Sequence, residues 1–178
     1  QIGLETPIAE SYTDFQKYVK ELSQIGVSLA VCSKNDFENA RNGFNHPDTI
    51  LDFEDFVSFK ANWNNKDHNI FQISDEMNIG LNSMVFLDDN PVERELVLSQ
   101  VPSVSVPDIG EDSVDFINNL DRNGYFESVF ISDDDIERNK YYIGNKNRLK
   151  NEKSFNTYDD FLQSLNMTAE IKSFLPVY

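Results

Sequence analysis

The chain has 178 residues, 39% hydrophobic and 12% aromatic, which suits one domain with a core plus an appendage. Its formal charge of −16 argues against a nucleic-acid or anionic-membrane surface, because phosphate backbones and lipid headgroups draw clusters of Lys and Arg that this sequence does not have. One cysteine, Cys32, excludes an internal disulfide framework and fits a reducing compartment, with the cytoplasm as the default, and there is neither an apolar stretch of transmembrane length nor a signal-peptide pattern.

In chain order, apolar positions Ile8, Phe15, Val19, Leu22 and Ile25 recur at helical spacing and predict an amphipathic helix that stops at Gly26. A strand follows at Val27-Ser28-Leu29-Ala30-Val31 and runs into Cys32-Ser33-Lys34-Asn35-Asp36, small and polar groups at its carboxyl end. A short helix over 37–41, a strand at Thr49-Ile50-Leu51 and an irregular stretch over 53–65 come next. They lead to a helix that begins at Lys66, carries Ile70, Ile73 and Met77 on one face and ends at Gly80.

Met84-Val85-Phe86-Leu87 is an apolar run suited to a strand buried on both faces of a parallel sheet, and it ends in Asp88 and Asp89. The carboxyl ends of such strands are where open α/β folds bind ligands. Asn90 can cap a helix and Pro91 fits its first position, so residues 92–98 should leave the sheet as a helix. Val104-Ser105-Val106, between Pro102 and Pro107, reads as a last, edge strand.

From Asp112 the pattern turns helical, with helix starts at Ser132-Asp133-Asp134-Asp135 and Thr157-Tyr158-Asp159-Asp160 and a linker near 150–155. Met167 to Ile171 alternates like a strand. The expected organisation is an α/β core over 1–110, a helical appendage over 111–153, and a linker helix and strand over 154–178 that lead toward a following domain.

A hydroxyl, an ammonium and paired acids thus come to one sheet edge: Ser33, Lys66, Asp88 and Asp89. These are the parts of a phosphate site with Mg²⁺, in which donors and a cation face the phosphate and carboxylates hold the metal. The words Ala30-Val31-Cys32-Ser33-Lys34-Asn35-Asp36, Phe59-Lys60-Ala61-Asn62-Trp63 with Lys66, and Val85-Phe86-Leu87-Asp88-Asp89-Asn90-Pro91 with Glu93-Arg94-Glu95 resemble the haloacid dehalogenase (HAD) superfamily, and within it the FkbH-like, subfamily IIIC group. The resemblance implies a HAD-like Rossmannoid parallel sheet with flanking helices and a helical C-terminal appendage. It also implies a Mg²⁺-dependent enzyme acting on a phosphorylated small molecule.

The family's nucleophile motif, Asp-x-Asp-x-Thr, occurs nowhere in the sequence. The expectation is therefore a segment of a longer, multidomain protein that lacks its central strand and is inactive alone. Under the resemblance Ser33, Lys34, Asn35 and Lys66 bind phosphate, Asp88 and Asp89 bind Mg²⁺, and Lys66 and Cys32 are catalytic.

Each residue also has a plainer reading. Ser33 alone is a common turn former, Lys66 alone a surface lysine, and Asp88-Asp89 a capped helix start. Cys32 is either a small core hydrophobe or the acceptor of a glyceryl unit bound for an acyl carrier protein, the transfer with which FkbH-like proteins are associated. A nearby ammonium would lower its pKa. Trp63, with Asn62, reads as shaping a substrate cap, and a core role for Trp63 is at least as good a reading. His46 reads as a turn residue, and with His68 makes no metal cluster. The intact protein is then a phosphatase or a glyceryl transferase, and the alternative from another class is a non-catalytic docking module for a carrier or a neighbouring transferase domain.

Overall fold

The computed structural model describes residues 5–168 apart from Val129, Lys153 and Asn156. The chain forms two compact units, divided between Tyr142 and Ile143. The first is an α/β unit. Helix α1, Pro7–Gln24, starts where the Thr6 hydroxyl accepts from the Ala9 N–H and Pro7 takes the first position. It ends before Gly26, whose φ of +99° a side chain would not tolerate.

Strand β1 runs from Leu29 to Ser33, two residues beyond the expected start. Asp36 caps the short helix α2, Phe37–Asn42, through the Glu38 N–H. The second strand is not at Thr49-Ile50-Leu51. There the side-chain oxygen of Gln16 accepts from the Ile50 and Leu51 N–H groups at 3.1 and 3.3 Å, so those groups are satisfied outside any ladder. Strand β2 instead occupies Phe56–Ala61, within the stretch expected to be irregular. Phe56 and Phe59 fix it there by packing against Phe44 and Phe53 at centroid distances of 4.9–5.8 Å.

β1 and β2 pair in parallel. Helix α3, Lys66–Met77, buries Ile70, Ile73 and Met77 as expected. It stops at Asn78, in the left-handed conformation at φ 50°, rather than at Gly80.

Among the described residues, 84–87 make one bridge, a parallel pairing of Val85 with Ser105. The expected strand is thus paired along one side only: Phe86 N–H donates to Ser105 O at 2.8 Å, and Ser105 N–H to Met84 O at 3.1 Å. Asn90 caps helix α4, Pro91–Gln100, as its sequence predicts. Helix α5, Phe116–Asp121, packs on α1.

Apolar contacts tie the two strand pairs together from both faces. Ile70 of α3 joins Phe86, Val97, Val101 and Val104, with Cys32 against them. Val19 of α1 packs on Leu29 and Phe56, while Tyr12 and Phe15 pack with Val85 and Leu87 around Phe116 and Leu120. The fold is of the α/β class, a parallel sheet with flanking helices, as read from the sequence.

Helix α6, Asp133–Glu152, opens with a reciprocal cap. The Ser132 hydroxyl accepts from the Asp135 N–H, and the Asp135 carboxylate accepts from the Ser132 N–H. This helix runs to Glu152 and so takes up the first half of the expected linker. In the second unit, helix α7, Tyr158–Ser164, begins at the Thr157 cap predicted for it and buries Phe161 between Phe155 and Tyr158. The strand expected from Met167 to Ile171 lies mostly outside the described residues.

Candidate phosphate and metal site

The carboxyl ends of β1 and of residues 84–87 meet at one place. Lys66, the first residue of α3, donates its ammonium to the Asp88 carboxylate, and both side chains are only 10% exposed. The same ammonium lies over the Phe86 ring, 5.6 Å from its centre. Asp88 also accepts from the Asn90 N–H at 2.9 Å, which fixes the turn into α4.

Beside this pair, Lys34 donates to Glu93 at 2.8 Å. Both cations come from the β1 and α3 side, and both acids from the segment that follows residues 84–87. Asp89 is exposed. Ser33 ends β1, and its carbonyl accepts from the Asn62 N–H at 3.1 Å. The Asn35 side-chain oxygen is used locally, accepting from the Asp36 N–H at 2.8 Å.

Two residues that build the site, Arg94 and Asn69, have no role in the sequence pattern, and a third, Asn62, is there read only with Trp63 as part of a substrate cap. Arg94 donates to the carbonyls of Asp88, Asp89 and Gly110 at 2.9, 3.0 and 3.2 Å and to the Asp108 carboxylate at 2.7 Å, so it clamps the backbone that carries both acids. Asn62 and Asn69 exchange amide hydrogen bonds between the end of β2 and the first turns of α3. The Asn90-Pro91 helix start was the available signal for Arg94, since it places that residue in the first turn of α4.

Cys32 faces the core beside the site. Its thiol donates to the Lys66 carbonyl at 3.7 Å, and burial pushes its pKa from the ordinary 9.0 up to about 11. The ammoniums of Lys66 and Lys34 pull the other way, as the sequence suggested, but burial outweighs them. Trp63 is 75% exposed, which removes its core reading. His46 forms the expected turn, its ring nitrogen accepting from the Asp48 N–H, and His68 pairs with Gln72.

No group of three or more His, Cys, Asp and Glu side chains converges among the described residues. Asp88 and Asp89 nonetheless fit Mg²⁺ by chemistry, since that ion is commonly held by one or two carboxylates together with waters and substrate phosphate. None of the helices, among the described residues, is long and apolar enough to cross a membrane.

Among solved structures the chain is similar to the N-terminal part of the protein BF1531 from Bacteroides fragilis, containing a phosphatase domain and complexed with Mg. The identity is 42% and the TM-score 0.71, over 74% of this chain and 35% of that one. The chain therefore spans about a third of the length of that structure. No family model and no curated protein matches it. The likeness supports a HAD-type, phosphatase-like fold.

Proposed function

We propose that this chain is the phosphate- and Mg²⁺-holding part of a HAD-type phosphatase acting on a phosphorylated small molecule in the cytoplasm. The observation that carries the reading is the buried Lys66–Asp88 pair at the carboxyl ends of parallel strands, in a chain 42% identical to a Mg-complexed phosphatase domain.

Asp88, with Asp89, would hold the metal, and Mg²⁺ there supplies positive charge against the phosphoryl oxygens. Lys66 faces the same oxygens and offsets charge that develops on them, while the Ser33 hydroxyl and Lys34 donate from the end of β1. Asn35 spends its side-chain oxygen on the turn, which leaves its amide N–H groups for phosphate. Arg94 keeps both acids in register by holding their carbonyls. The nucleophile belongs to the parent polypeptide, as the aspartate of an Asp-x-Asp-x-Thr motif.

Phosphatase is favoured over FkbH-like glyceryl transfer to a carrier because Cys32, the only thiol, is held as a protonated core group at neutral pH. The test uses the intact parent protein and residues 1–178 separately, on p-nitrophenyl phosphate with Mg²⁺. The intact protein is expected to turn over and to lose on the order of 10²-fold in kcat as Lys66→Ala. Residues 1–178 are expected to stay at background. Turnover by residues 1–178 alone, or full activity of the intact protein in EDTA, would overturn the reading.

A further inference from the structure

Trp63 is the chain's only tryptophan, and it is 75% exposed on a turn whose backbone is held from both sides. The Asn62 N–H donates to the Ser33 carbonyl at 3.1 Å, which ties the turn to the end of β1. The Asn62 side-chain oxygen accepts from the Asn64 N–H at 3.0 Å, closing the turn across Trp63. The same oxygen accepts from the Asn69 amide at 3.0 Å, and Asn69 is fully buried in α3. The indole is thus carried in the open on backbone that the fold has fixed.

A lone exposed apolar side chain is ordinary on a surface and calls for no explanation. Position distinguishes this one. Ser33 and Lys66, the hydroxyl and the ammonium of the phosphate edge, bracket it. Asn62 is bonded to the first, and the second follows Trp63 by three residues, at most about 11 Å along the chain.

Its company is the other mark. Every other residue from Asn62 to Asn69 is polar or charged, so the indole has no apolar neighbour in its own segment with which to build the broad patch a protein partner needs. A small ligand needs one apolar face among groups that can hydrogen-bond, and Asn64 and Asn65 are both exposed beside it. A cation is best drawn by several rings forming a cage, and a saturated chain gains only the small area that one open face can cover. A flat aromatic ring gains area and stacking together.

We propose that Trp63 sets substrate specificity at this edge by stacking on a flat aromatic ring carried by the phosphate ester, either a nucleobase or an aryl group. The inference rests on the phosphatase reading and adds to it the class of leaving group.

The experiment compares the parent protein with Trp63→Ala and Trp63→Phe on adenosine 5′-monophosphate, p-nitrophenyl phosphate and glycerol 3-phosphate, which has no ring. Trp63→Ala is expected to raise KM for at least one of the two ring-bearing esters ~10-fold more than for glycerol 3-phosphate, while kcat moves far less. Trp63→Phe, which keeps a ring, should recover most of that loss. A loss on the nucleotide alone sets the ring one sugar away from the phosphate, and a loss on p-nitrophenyl phosphate alone sets it on the ester oxygen. Equal losses on all three esters, or none, would overturn the proposal and leave the phosphatase reading standing. If the parent protein turns over none of the three, that reading fails by itself and tryptophan emission decides. Adenosine 5′-monophosphate or phenyl phosphate, titrated with Mg²⁺ present, should then quench the parent protein more than Trp63→Phe, and equal quenching by both ligands overturns the proposal.

Discussion

The side chains of Asn62 and Asn69 donate to each other, at 3.1 and 3.0 Å, and Asn69 is fully buried. Asn62 follows β2 and Asn69 sits one turn into α3, so this pair sets where α3 begins and hence where Lys66 stands. Asn69→Ala should cost about 2 kcal/mol, because it leaves the half-buried Asn62 amide without its partner. Urea denaturation of Asn69→Ala, Asn62→Ala and the double variant tests this: the double variant should cost clearly less than the two singles summed. Strict additivity would mean that the pair is not coupled.

Lys66 and Asp88 make a second buried pair, of opposite charges. Breaking either side alone leaves an uncompensated charge, so Lys66→Met and Asp88→Asn should each destabilise by about 3 kcal/mol. Together they should destabilise far less. Thermal or urea unfolding of the four proteins in the cycle measures the coupling.

Arg94 and Asp108 separate clamp from ornament. Arg94 is 11% exposed and serves three carbonyls, whereas Asp108 is 82% exposed. Arg94→Gln should cost about 2–3 kcal/mol and Asp108→Asn less than about 1 kcal/mol. Equal losses in denaturant midpoint would place the value in the ion pair instead.

The Cys32 thiol titrates near 11 when folded and near 9.0 when exposed. At pH 8 its alkylation by iodoacetamide should be about two orders of magnitude slower than that of an unfolded cysteine. Because the folded pKa is the higher one, the stability it contributes is fully present below pH 9 and is lost as pH rises through 11. Cys32→Ala should flatten the stability profile across that window.

The elements written in local chemistry were legible. Thr157 and Asn90 have side chains that accept from their own helix's N–H groups, so their helices could be placed without knowing the fold. Strand β2 was not, because Phe56-Val57-Ser58-Phe59-Lys60-Ala61 has no clean alternation and is selected by aromatic contacts distant in sequence. Thr49-Ile50-Leu51 misled for the complementary reason: β-branched residues favour strands, but the Thr49 N–H goes to the His46 carbonyl and those of Ile50 and Leu51 go to Gln16. At the site, Lys66, Asp88 and the cap at Asn90 followed from order along the chain. The Arg94 clamp grips carbonyls, which every residue has, and so leaves no mark in residue types.

The two lysine–carboxylate pairs also arrange the site by sign. Lys34 and Lys66 form a wall that an anion would read, and Asp88 and Glu93 form a wall that a cation would read, each wall now neutralising the other. A cation that draws the acids away frees the ammoniums, and an anion that takes the ammoniums frees the acids. Metal and phosphate should therefore each strengthen the other's binding by the same factor, a reciprocity imposed by the shared ion pairs before any bond is broken.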